Sequence, residues 1–315
     1  MSNAELVCVG EPLFELSNVG PGKWNAGVGG DVSNVAVAAA RQGTRSTMLT
    51  QLGDDDFAAE IRNSWAAEGV NDAYVRTLVG AETGMYFITH DAGEHKFEYR
   101  RSGSAASQVR PEDLSEGVFD NAAIVHLSGI SQAISASARA TTDKAIAIAK
   151  KKGVKVSYDP NLRLKLWPLE EARKVILDTV RKVDIFLPGL DDARILTGIE
   201  EPVDIVRFFA DLGAPIIALT MGDRGVLAAN DGDMRFISSP KVDAVDATGA
   251  GDCFDGAFLS QLINEYSVFD AAAYAATAAA ISIQGHGAAK SIPNREAVLA
   301  LQEQCRGEIW TAPEI

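Results

Sequence analysis

Residues 242–263 read VDAVDATGAGDCFDGAFLSQLI. Residues 242–245 have the pattern of a strand end, Gly249-Ala250-Gly251 supplies a turn, and Phe254, Phe258 and Leu262 recur at the i, i+4, i+8 spacing of a helix. Strand, glycine turn and helix in that order form the repeating unit of a doubly wound α/β sheet. The backbone N–H groups of Gly249, Ala250 and Gly251 would then lie unpaired at a helix N-terminus, where the helix dipole favours negative charge. Asp252, at the same helix start, could accept a proton from a hydroxyl brought up to a phosphate bound there. The plainer alternative is that Asp252 only caps the helix and the glycines only turn the chain.

Outward from this stretch, β-branched runs alternate with helical patterns. LVCVG at 6–10, AIVHLSG at 123–129, VKVSYD at 154–159, VDIFLP at 183–188 and IIALT at 216–220 read as strands, and 135–152 and 169–183 read as helices. Such alternation implies right-handed crossovers and a mostly parallel sheet, with ligands at the carboxyl ends of its strands. Lys150, Lys151 and Lys152 close one of those helices ahead of Gly153, a C-cap, so the helix dipole accounts for them. The alanine-rich 271–280 predicts a tightly packed helix.

MYFITHDAGEHKFEYRR at 85–101 breaks the alternation and predicts a hairpin about an Asp91-Ala92-Gly93 turn. The period of two places Phe97, Tyr99 and Arg101 on one face, with Glu98 and Arg100 on the other. Arg101 is then either a charge that protects an edge strand or part of a lid that lowers onto an anionic ligand. The expected architecture is one α/β domain over 1–315 with a small β lid, its strands around 12–28 and 85–101.

The composition narrows the partners. With 29 basic and 43 acidic residues and a net charge of −14, the surface repels nucleic acid and anionic membranes. No stretch reaches the roughly 18 apolar residues of a membrane span, and no leader pattern begins the chain, so the expected setting is the cytoplasm. Cys8, Cys253 and Cys305 show no metal or disulfide spacing and are expected to be reduced core thiols.

GxxxxGK[ST] is absent, and the GxGxxG dinucleotide fingerprint fails at Gly249–Gly251. A second glycine signature, GGDVSNVAVAAAR at 29–41, places Gly29-Gly30 where backbone amides could approach a ligand and Asn34 one turn into an alanine-rich helix. Taken singly, it too could be only a tight turn before a packed helix.

With both signatures present in this order, the chain resembles the ribokinase-like, or PfkB, family of carbohydrate kinases along essentially its whole length. The resemblance implies a doubly wound, mostly parallel sheet flanked by helices, a β-sheet lid over the sugar, and transfer of the ATP γ-phosphate, with Mg²⁺, to a sugar hydroxyl. It implies that Asp252 is the general base and that the amides of Gly249, Ala250, Gly251 and Asp252 stabilise the transferring group, in keeping with phosphoryl transfer as positioning plus electrostatics. Gly30 and Asn34 would contact the sugar. Thr220, Gly222 and Gly225 of TMGDRG would lie along the nucleotide, with His286 and Gly287 near its base; TMGDRG by itself reads as a hairpin or turn. Many members hold Mg²⁺ through an Asn-x-x-Glu element, and the matching stretch here, Gly189-Leu190-Asp191-Asp192, leaves Asp192 as the candidate. A K⁺ site near Asp246 and Thr248 is left open, with Asp246 otherwise organising the loop.

GEPLFELS at 10–17, FEYRRSGSAAS at 97–107 and DPNLRLKLW at 159–167 resemble the 2-keto-3-deoxygluconate kinase branch of that family. That resemblance implies a sugar-acid pocket with Arg101 and Arg163 as carboxylate ligands, Tyr86 and Tyr99 beside them, and Ile130 as an apolar wall. Two guanidinium forks suit a carboxylate; a surface salt bridge is the ordinary alternative for Arg163. A neutral-sugar kinase such as a fructokinase, and a non-catalytic sugar- or nucleotide-binding regulator, are the competing expectations. Exposed lid edges are compatible with a homo-oligomer.

Overall fold

A computed structural model of the chain describes residues 5–91 and 94–305. Ala92 and Gly93, the expected hairpin turn, lie outside the described residues. In chain order, β1 (Glu5–Val9) leads to β2 (Leu13–Gly20) and β3 (Lys23–Gly29), followed by α1 (Asp31–Arg41) and β4 (Arg45–Leu49). The short β5 (Gln51–Leu52) and β6 (Arg76–Thr77) flank α2 (Asp56–Glu68), and the hairpin strands β7 (Met85–Asp91) and β8 (Glu94–Arg100) come next. Then follow β9 (Ala122–Ser128), α3 (Gly129–Ala133), α4 (Ala136–Lys152), β10 (Lys155–Asp159), α5 (Leu169–Val180), β11 (Ile185–Phe186), α6 (Leu190–Thr197), α7 (Pro202–Asp211) and β12 (Ile216–Thr220). The chain closes with β13 (Val226–Asn230), β14 (Asp233–Ile237), α8 (Ala250–Ile263), α9 (Val268–Ser282) and α10 (Arg295–Gln304).

The eight-stranded central sheet runs β14-β13-β12-β11-β10-β9-β1-β4. It is parallel from β4 to β12 and antiparallel at β13 and β14. Its two faces are covered by separate apolar clusters, one built on α1, α8 and α9 and the other on α4, α5 and α7. Burial on both faces is why these strands read as continuous apolar runs. A second sheet, β3-β2-β7-β8, carries the hairpin and forms the lid. Phe97 and Tyr99 stack on Tyr86 across it, while Arg100 pairs with Glu98, so the period-two assignment of faces holds.

Two expectations fail near the quoted stretch. Residues 242–245 are not a strand: the backbone N–H groups of Val245 and Asp246 both donate to the Ile283 carbonyl, so this segment is held by the end of α9 instead of by a strand partner. Nor is α8 apolar on one stripe only. It lies between α1 and α9, and Cys253–Gln261 are buried all round, Ser260 and Gln261 among them. A helix enclosed on all sides loses the amphipathic contrast of a surface helix. At 183–188 only Ile185 and Phe186 form a strand, β11, although the Asp184 and Leu187 N–H groups still donate to the Val156 and Tyr158 carbonyls of the β10 region, and Gly189 then caps α6. Lys150–Lys152 do end α4, with Gly153 in the left-handed C-cap conformation, and Ala271–Ala280 lie in the buried α9. Cys8, Cys253 and Cys305 are all free thiols.

Candidate active site

Gly249 is the N-cap of α8 and adopts a left-handed backbone (φ 77°). A Cβ there would also come within 2.7 Å of the Ala288 Cβ, so the turn requires glycine twice over. Ala250 N–H turns back to the Ala247 carbonyl at 3.2 Å. That contact removes Ala250 from the amides expected to face an anion; the N–H groups of Gly249, Gly251 and Asp252 have no backbone acceptor among the described residues. Asp246 stitches the loop from the other side: its Oδ1 accepts Thr248 N–H at 2.9 Å and its Oδ2 accepts Gly287 N–H at 3.1 Å.

Asp252 sits at the carboxyl ends of the central strands, partly exposed in the crevice. Asn34, one turn into α1, donates its Nδ2–H to Asp252 Oδ2 at 2.7 Å. Burial pushes the Asp252 carboxyl up to about 7; nearby Asp31 adds to the rise, and the Asn34 hydrogen bond and the Arg163 guanidinium oppose it. A carboxyl poised there is matched to proton transfer at neutral pH.

Several acids around it were not among the expected site residues. Asp31, in the first turn of α1, accepts from Ser128 Oγ and, at 3.3 Å, from Asn161 Nδ2. Asp159, ending β10, accepts Asn161 N–H at 2.9 Å. Asp255, one helical turn beyond Asp252, is buried with Oδ2 unpartnered among the described residues. Burial and the neighbouring carboxylates hold Asp159 and Asp255 well above the usual carboxylate range. The available signal lay in residues already quoted: Asp31 follows Gly30 directly, and Asp159 and Asn161 belong to DPNLR.

Gly30 caps α1 at φ 98°, and a Cβ there would strike the Glu11 carbonyl. Above it, Tyr86 is buried and its hydroxyl donates to Glu15, whose own carboxyl is raised by burial. Tyr99 is 40% exposed, and the Arg101 guanidinium carbon lies 5.4 Å from its ring centroid. Arg101 also pairs with Glu11, a buried partner that the sequence did not single out. Arg163 is exposed, donates to its neighbour's carbonyl (Leu162 O, 3.0 Å), and meets no carboxylate in a salt bridge among the described residues. Its field nevertheless reaches Asp252, Asp192 and Tyr99. Ile130 begins α3 beside Ser128, at the end of β9.

A separate cavity of about 340 Å³ is lined by Gly189, Asp191, Asp192, Thr220, Gly222 and Arg224. TMGDRG forms a single tight turn between β12 and β13, with Gly225 (φ 104°) packed against the Ile237 carbonyl. Asp192 Oδ2 accepts Leu162 N–H at 2.8 Å and so supports the loop that carries Arg163. The hard oxygen donors of Asp191, Asp192 and Thr220 suit Mg²⁺. His286 is exposed in the loop after α9, next to Gly287. Both Asp246 oxygens already close protein contacts, which fits Asp246 organising the loop.

The pattern of the pfkB family carbohydrate kinases matches residues 3–295. The chain is 33% identical over 304 residues to the 2-dehydro-3-deoxygluconokinase of Thermoproteus tenax, covering 93% of this chain and 92% of that one. It is 35% identical over 285 residues to fructokinase-1 of Oryza sativa subsp. japonica, covering 87% and 88%. The crystal structure of fructokinase from Vibrio cholerae O395, in its fructose, ADP and calcium ion bound form, superimposes with a TM-score of 0.87 at 27% identity over 95% of this chain and 99% of that one.

Proposed function

We propose that this chain, which belongs to the pfkB family of carbohydrate kinases, transfers the γ-phosphate of ATP to the terminal hydroxyl of a sugar acid, 2-keto-3-deoxygluconate or its galactonate epimer, in the cytoplasm. The observation that carries the kinase chemistry is the Asp252 carboxyl, pushed up to about 7 and placed in the first turn of α8 among its open amides. The transferring phosphoryl group would rest against the N–H groups of Gly251 and Asp252, where fixed dipoles offset charge without reorganising. Asp252, aimed by Asn34, would take the proton of the attacking hydroxyl as the new P–O bond forms and the bond to ADP breaks. Thr220, Gly222 and Gly225 would border the nucleotide, with His286 and Gly287 near its base. Mg²⁺ bound with ATP near Asp192 would neutralise phosphate charge.

For the sugar, two arginines whose fields both reach Tyr99 support an anionic substrate, and the Thermoproteus relative is named for phosphorylating that acid. A fructokinase is the second reading, favoured by the rice relative and by the Arg101–Glu11 pair, which cancels one of the two positive charges. A coupled ADP-release assay over keto-deoxy acids, hexoses, pentoses and nucleosides tests both. Turnover of the acid supports the first reading, while fructose turnover with no activity on any acid replaces it. Asp252→Ala should abolish most of kcat with a smaller change in KM, and equal rates in the two proteins would refute the mechanism.

A further inference from the structure

Glu11 occupies the β1–β2 connection, where the chain leaves the central sheet for the lid, and Arg101 and Ser104 occupy the segment by which the chain leaves the lid after β8. The Glu11 side chain is fully buried and joins the two: one carboxylate oxygen pairs with an Arg101 terminal nitrogen, and the other accepts Ser104 Oγ–H at 3.0 Å. Arg101 is only 12% exposed, and its Nε is buried with no acceptor among the described residues. Arg163, which like Arg101 acts on Tyr99, is exposed and unpaired with any carboxylate among the described residues.

We infer that Glu11 is a positioning residue that aims Arg101 and cancels its charge, so that the small exposed part of Arg101 meets the sugar as a neutralised group, and Arg163 supplies the uncompensated cation by which the pocket tells an anionic sugar from a neutral one. The inference rests on the sugar-kinase reading and assigns the charge selectivity of that site to one arginine instead of two. An arginine cannot shed its proton to relieve a lost partner. Removing the Glu11 charge while keeping its shape therefore adds a whole positive charge to the pocket.

The test is the ratio of dissociation constants for fructose and 2-keto-3-deoxygluconate, measured by calorimetry. The proteins compared are wild type, Glu11→Gln, Arg163→Met and the double variant Glu11→Gln/Arg101→Met. Glu11→Gln should shift the ratio toward the acid by about tenfold, the size expected for one unit charge roughly 12 Å away at an effective dielectric near 20. Arg163→Met should shift it by a similar factor toward fructose. The double variant leaves the net charge as in wild type, so both sugars should bind more weakly while their ratio stays within about twofold of wild type, since the electrostatic term is restored. A double variant that loses acid preference as Arg163→Met does, or a Glu11→Gln ratio equal to wild type, overturns the assignment. If Glu11→Gln does not fold, the double variant, which removes both buried charges together, decides against Arg163→Met alone. Failure of the substrate proposal reads differently: wild type then turns over fructose and not the acid, and the acid's inhibition constant replaces its dissociation constant in the same ratio.

Discussion

With Asp252 as the proposed base, the pH dependence of turnover should follow how its carboxyl is held, and Asn34 is the handle on it. The Asp252 carboxyl lies at about 7, against an ordinary value of 3.8, because burial and Asp31 raise it more than Asn34 and Arg163 lower it. A base must be ionised to accept a proton, so kcat/KM should rise through a midpoint near pH 7. The 2.7 Å hydrogen bond from Asn34 goes to the charged form. Such a bond to an ionised acceptor contributes about 1.5–3 kcal/mol, and at 1.36 kcal/mol per pH unit its loss in Asn34→Ala should move the midpoint up by about one to two units. Asp31→Asn removes a repelling charge and should move it down. The assay is coupled ADP release across pH 5.5–9.5 (roughly the span that brackets a shifted Asp or Glu base), with kcat and KM separated because Asn34 is also expected to touch the sugar. An unmoved midpoint in Asn34→Ala, or shifts of the same sign in both variants, would refute Asp252 as the titrating base.

Two further outcomes follow from the same geometry. Because folding raises the Asp252 carboxyl, the native state holds a proton that the unfolded chain releases between about pH 4 and pH 7, and stability falls as pH rises through that window. Asp252→Asn should therefore unfold at a higher temperature than wild type above pH 7, by an upper bound of about 4 kcal/mol reduced by solvent access to the carboxylate. The advantage should vanish toward pH 4 in thermal melts. Gly249→Ala should lose about 1–3 kcal/mol of stability, from left-handed backbone strain and contact with Ala288, and should lower kcat more than it raises the KM for sugar. A variant with wild-type melting and turnover would show that the turn tolerates a side chain.

How much of this was legible varies by residue. The parallel strands could be read because sheets covered on both faces demand unbroken apolar runs, and β12 falls where its pattern ends. The hairpin face Phe97–Tyr99–Arg101 followed from a period that backbone pleating imposes. The 242–245 segment misled because its apolar residues are not buried, Val245 being 51% exposed, and the N–H groups of Val245 and Asp246 go to Ile283, a partner far along the chain. Glu11 and Glu15 stood inside a stretch already noted, GEPLFELS, yet nothing local says that one meets Arg101 and the other Tyr86.

The sequence alone determined the family, the glycine turns and the acid at the head of α8, because these depend on local backbone geometry and on residue types that few other arrangements require. Tertiary structure decided the electrostatics. Asp31, Asp159, Asp252 and Asp255 converge from α1, β10 and α8, and the two arginines differ because Glu11 pairs with Arg101 while Arg163 is exposed and meets no carboxylate among the described residues. Charge interactions depend on distance and burial through space, and no spacing along the chain encodes either.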